Sequence, residues 1–148
     1  MVPQPCTYPR QRTILLVEDE PFVREATRGI LEKSGFEVLP AENAAVAMQL
    51  YASFLRPIDL VMTDMILPGR TGRQLAEDLR NHEKSNNSNN KDLRVLITSG
   101  YYNPEYASET PESQSYFLAK PYSRRSLIEK IEQILAPVPL SRTAGQAV

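Results

Sequence analysis

A chain of 148 residues is one domain of ordinary size, long enough to bury a core without disulfides or a structural metal. With 41% apolar and 24% charged residues and a formal net charge of −1, it has a globular composition and no overall basic surface for nucleic acid. The single cysteine, Cys6, excludes an internal disulfide, no apolar run reaches the length of a membrane span, and residues 1–12 lack the apolar centre of a secretory signal. A cytoplasmic protein that neither enters membranes nor binds nucleic acid directly is therefore expected.

In chain order, Met1 to Gln11 is expected to be a flexible arm. Thr13 to Val17 is a continuous apolar run of the kind that forms a strand buried on both faces. It ends in Glu18-Asp19-Glu20 and Pro21, and Phe22, Val23, Ala26, Ile30 and Leu31 then recur at helical spacing until Ser34-Gly35. Phe36 to Leu39 is a second strand, and Ala44 to Phe54 a helix capped by Asn43. Asp59 to Thr63 is a third strand that ends at Asp64, before the break at Pro68-Gly69. A helix is expected from about Thr71 to His82, followed by a flexible loop in the polar stretch 85–90. Arg94 to Thr98 is a fourth strand, and Tyr116 to Ala119 a fifth. Between them, Pro104 and Pro111 leave room for only a short helix. Ser123 caps a last helix to Leu135, and a loose tail begins near residue 137.

Strand and helix alternate five times, which predicts an α/β fold: a doubly wound parallel sheet with helices on both faces. Sites in such sheets gather where strands end at their carboxyl edge. Glu18 and Asp19 follow the first strand, Asp64 the third, Ser99 the fourth and Lys120 the fifth. Taken singly, each has an ordinary explanation. The acids suit a helix start, Asp64 suits a turn, Ser99-Gly100 suits a loop and Lys120-Pro121 a solvated strand end. Those explanations do not account for one such group falling just past each of four different strands. Clustered carboxylates with only oxygen donors suit a hydrated Mg²⁺, and an ammonium opposite the metal makes a clamp for a phosphoryl group.

The segments Ile14 to Pro21, Leu60 to Gly69, Val95 to Tyr101 and Phe117 to Tyr122 resemble the receiver domains of bacterial response regulators, in the same order. The Ser99-Gly100-Tyr101 stretch is most similar to receivers associated with hybrid sensor kinases. The resemblance spans about Arg12 to Ala136, which makes 12–136 the receiver domain, 1–11 an arm and 137–148 a tail. It implies a flavodoxin-like sheet of five strands in the order 2-1-3-4-5. It also implies Asp64 as phospho-acceptor and Mg²⁺ held by Glu18, Asp19, Asp64 and the backbone carbonyl of Ile66. Ser99 and Lys120 would bind the phosphoryl group, Ser99 and Phe117 would act as the switch, and Ile66 and Tyr101 would flank the water that hydrolyses it. Lys120-Pro121 would be cis. The implied partners are a histidine kinase or phosphotransfer protein and a downstream protein the sequence does not name, the chain being a monomer or weak dimer. No output module is recognisable after Ala136.

At three of its site positions the chain departs from the commoner family pattern. Glu18 stands where Asp is commoner, Ser99 where Thr is commoner, and Phe117 carries no phenol. Two rival functions fit less well. A flavin-type phosphate loop would not carry three acids after the first strand, and an aspartate-based phosphatase would carry an acid at Ile66. A receiver-like scaffold that is never phosphorylated is the alternative within the same fold.

Overall fold

A computed structural model describes residues 11–85, 93–100 and 115–136. Tyr101, the stretch 103–114, most of the polar stretch 85–90 and the two termini lie outside the described residues. Strands β1 (Thr13–Val17), β2 (Glu37–Ala41), β3 (Leu60–Asp64), β6 (Arg94–Ser99) and β7 (Ser115–Ala119) form one sheet. All four neighbouring pairs are parallel, in the order β2-β1-β3-β6-β7. With the two short strands of a side hairpin set apart, this is the expected 2-1-3-4-5 order of a flavodoxin-like sheet. Helices α1 (Pro21–Lys33) and α4 (Arg124–Leu135) cover one face; α2 (Ala44–Ser53) and α3 (Gly72–Ser85) cover the other.

Alternation along the central strands explains why their middles are apolar, Thr13, Thr63 and Thr98 being the buried polar residues near their ends. Leu15, Val17, Val61, Val95 and Ile97 point into the layer under α2 and α3. Ile14, Leu16, Leu60, Met62 and Leu96 point into the layer under α1 and α4. Successive side chains face opposite ways, so a strand buried on both faces has no solvent-facing side.

The ends of the elements follow local chemistry. Helix α1 starts with Pro21 in its first turn. It stops where Gly35, at φ 98°, donates to the Glu32 carbonyl and Phe36 donates to Leu31. That pair of bonds is a Schellman closure, and Phe36 and Leu31 pack in the same buried cluster. Asn43 caps α2 by accepting from the Val46 amide at 2.8 Å, and Ser123 caps α4 by accepting from Ser126 at 2.9 Å. Both caps match the sequence expectation.

Strand β2 lies further along than the expected Phe36 to Leu39. Phe36 belongs to the helix closure, and the strand runs on through Pro40, which an edge strand tolerates because half of its amides pair with nothing. Helix α3 reaches Ser85, three residues past the expected His82. A short hairpin of β4 (Ile66–Leu67) and β5 (Arg70–Thr71) was not anticipated. Its turn is Pro68-Gly69, with Gly69 at φ 76°, the value that the third position of a Pro-Gly type II turn requires.

Candidate functional site

The sheet ladder continues one residue past several strand ends and pins the site there. The Glu18 amide donates to Ala41, the Met65 amide to Thr98, and the Lys120 amide to Ser99. Three elements thus deliver Glu18-Asp19, Asp64 and Lys120 to one edge with fixed backbones. Carboxylate oxygens of Glu18, Asp19 and Asp64 lie within 4.8 Å of one another. Lys120 Nζ donates to Asp64 Oδ1 at 3.1 Å and lies 3.5 Å from Glu18 Oε1. The Lys120-Pro121 peptide is cis.

Charge inside this cluster is unevenly solvated. Asp19 is exposed, Asp64 is half-buried, and Glu18 is only 6% exposed. Burial pushes the Glu18 carboxyl above its ordinary value, and the neighbouring charges of Asp64 and Asp19 push the same way. The Glu20 amide and Lys120 pull it down by less. For Lys120, burial pushes the ammonium down. The hydrogen bond and charge of Asp64, followed by the charges of Glu18 and Tyr122, outweigh that and leave it raised. Lys120 is therefore a cation aimed at Asp64. An all-oxygen trio of crowded carboxylates, one of them poorly solvated, fits a hard divalent cation such as Mg²⁺.

The remaining sequence-predicted residues fall around this cluster. Ser99 ends β6 at the same edge, half-buried and in register with Ala119, the residue before Lys120. Ile66 opens β4 two residues past Asp64 and is 61% exposed. Phe117 sits lower on β7, partly buried against the layer under α2 and α3. Tyr101 lies outside the described residues.

Three features escaped the sequence reading. Arg24 donates to the Glu18 carbonyl at 2.8 Å, tying α1 to the acidic loop. Thr71 and Gln74 form a reciprocal capping box at the start of α3, side chain to amide in both directions. The pattern Thr71-x-x-Gln74 was a legible signal for it. Gly72 packs against the backbone of Asp64 itself: a Cβ there would lie 2.5 Å from the Asp64 carbonyl oxygen and 3.0 Å from Thr63 Cγ2. Its amide also donates to Met65 at 2.7 Å.

An acidic cluster at the carboxyl edge of a doubly wound parallel sheet, with a lysine bonded to Asp64, is the arrangement of a two-component signalling module. The chain belongs to the response regulator receiver domain family, whose model matches residues 14–132. Receiver domains are signalling modules of two-component systems. The chain is 28% identical over 124 residues to the sensor kinase CckA of Brucella abortus; the match covers 83% of this chain but 12% of the kinase, so the chain spans only a small part of that protein. It is 29% identical to the response regulator receiver protein CpdR of Brucella abortus, over 84% of this chain and 97% of that one. Among solved structures it resembles the response regulator TrrA of Thermotoga maritima, crystallised in complex with Mg²⁺-BeF. The TM-score is 0.67 and the identity 28%, over 84% of this chain and all of the other.

Two stability predictions follow from the packing and the charge. Gly72→Ala is expected to destabilise the protein by about 1–3 kcal/mol in urea unfolding, despite the better helix propensity of alanine, because the methyl has no space beside the Asp64 carbonyl. An unchanged urea midpoint would mean that this backbone yields freely. Glu18, with its folded carboxyl titrating above its ordinary value, favours the fold when protonated and loses that contribution as pH rises through its folded titration. Glu18→Gln is therefore expected to raise Tm at neutral pH in chelator-treated protein, and the gain is expected to shrink in acid. A lower Tm at neutral pH would contradict the burial argument.

Proposed function

We propose that this receiver accepts a phosphoryl group on Asp64 from a phosphohistidine of a histidine kinase or phosphotransfer protein. The observation that carries this reading is the carboxylate trio with Lys120 hydrogen-bonded to one of its members, Asp64. In the transfer, an Asp64 oxygen forms a bond to phosphorus as the P–N bond of the donor breaks, and the electron pair returns to the imidazole. Lys120 follows the charge onto the phosphoryl oxygens, and the Ser99 hydroxyl donates to one of them. Glu18, Asp19, Asp64 and the Ile66 carbonyl would hold Mg²⁺, which when bound neutralises charge on the transferring group. The likeness to TrrA supports this assignment, since beryllium fluoride stands in for a phosphoryl group on a carboxylate.

The donor is proposed to dock beside the site rather than over it. An open groove of about 740 Å³ runs between α1 and the loop that joins β7 to α4, lined by Phe22, Val23, Ala26, Ile30, Pro121 and Tyr122. Phe22, 86% exposed, stands at its mouth. Lys120 lines the same groove and bonds Asp64, so an apolar helix seated there would present its phosphohistidine to the acceptor. Such a donor places the reaction in the cytoplasm. Phosphorylation then shifts Ser99 and Phe117 between two existing arrangements that a downstream protein distinguishes.

Intact mass after incubation with acetyl phosphate and Mg²⁺ tests the chemistry. A phosphoryl adduct is expected on the wild type, and none on Asp64→Asn or without Mg²⁺. Adduct formation on Asp64→Asn would remove Asp64 from its role, and absence of adduct from acetyl phosphate and from phosphorylated donors alike would favour the unphosphorylated scaffold. Phe22→Asp is expected to slow transfer from a phosphorylated histidine donor at least tenfold while leaving the acetyl phosphate rate unchanged; equal slowing of both would place Phe22 in the chemistry rather than in docking. Exposed, apolar Ile66 cannot orient a hydrolytic water, so Ile66→Asn is expected to shorten the half-life of the adduct. An unchanged half-life would assign the rate to other groups.

A further inference from the structure

Helix α3 begins against the acceptor. Gly72 packs on the Asp64 carbonyl so closely that no side chain would fit between them, and its amide donates to Met65, the next residue. One residue further on, the Arg73 guanidinium carbon lies 5.4 Å from the centroid of the Phe117 ring. Phe117 stands on β7, the outer strand of the sheet, in register with Ile97 of β6. Alternation along β6 puts Ile97 and Ser99 on that same face. A single peptide step in α3 therefore joins the backbone of Asp64 to an aromatic ring beneath the Ser99 end of the sheet. Arg73 is on the solvent side and Phe117 is partly buried, the arrangement in which a cation–π contact orders a ring without burying the charge.

We infer that Arg73 is a positioning residue for phosphoryl uptake: its contact with the Phe117 ring, linked to Asp64 through Gly72, holds the arrangement of the unphosphorylated site. This rests on the reading of Asp64 as the acceptor. The direct bond from Lys120 to Asp64 Oδ1 is one that the unmodified carboxylate makes. A phosphoryl group on Asp64 adds bulk and charge and draws Lys120 to new oxygens. Any shift of the Asp64 main chain then presses on Gly72, and Arg73 moves relative to the ring. Phenylalanine has no hydroxyl with which to fasten either position of the ring, which leaves its π face and its apolar packing to set the preference. Loosening the contact should favour the phosphorylated arrangement.

The test uses the full chain in four forms: wild type, Arg73→Gln, Phe117→Leu and the double variant. Initial rates of adduct formation with acetyl phosphate and Mg²⁺ are measured by intact mass, and urea unfolding is measured in parallel. Arg73→Gln is expected to raise the rate about two- to fivefold in the wild-type background, the factor that an exposed cation–π contact commands. In the Phe117→Leu background it is expected to change the rate by no more than its charge alone does, so the two effects do not multiply. The urea cycle is expected to show the same pair coupled in the unphosphorylated protein. A slower or unchanged rate in Arg73→Gln, rates that multiply independently, or no coupling in urea would each overturn the assignment. Coupling in urea with no adduct on the wild type, from acetyl phosphate or from a phosphorylated histidine donor, would instead sink the reading of Asp64 as acceptor, and Arg73 would then have no uptake to position.

Discussion

The hydrogen bond from Lys120 to Asp64 is the interaction around which this domain is arranged. It joins the ends of two strands that are not neighbours, because β6 lies between β3 and β7. It places a cation beside three crowded carboxylates, which would otherwise repel one another. The ladder bonds that continue past the strand ends and the close contact of Gly72 with the Asp64 carbonyl hold these groups at the edge.

The parallel sheet makes this arrangement mechanically firm. Its central strands are packed on both faces, and the two layers of core residues fix their register. A rigid scaffold with a charged rim suits a signalling domain, since the large cost of unfolding stays with the core while changes of charge act on the rim. Glu18 shows the tension most clearly. It is the most buried of the three acids, its carboxyl is raised by that burial, and its position is determined by bonds from Glu20 and Arg24 rather than by solvent.

Most of the fold was legible because its signals are local or periodic. The apolar runs marked the five strands of the sheet, and the caps Asn43 and Ser123 marked two helix starts. The errors also have physical causes. Phe36 looks like strand but serves the closure of α1, and Pro40 looks like a stop but is tolerated on an edge. The hairpin of β4 and β5 has two residues on each side, too few for any periodicity to show. In the site, acids and lysine were legible as groups just past strand ends, and their family resemblance gave the order.

By itself, the sequence determined which side chains reach the carboxyl edge, because alternation of strand and helix forces a parallel sheet whose strand ends converge. Only the tertiary structure decided what those side chains meet. Lys120 and Asp64 are 56 residues apart in the chain, and a direct bond between them depends on register across three strands. Gly72 looks like an ordinary helix-start glycine until α3 is laid against β3, and Arg73 looks like a solvated charge until β7 brings Phe117 beneath it. Contacts of that kind are set by how elements pack across long stretches of chain, and no local pattern of residues encodes them.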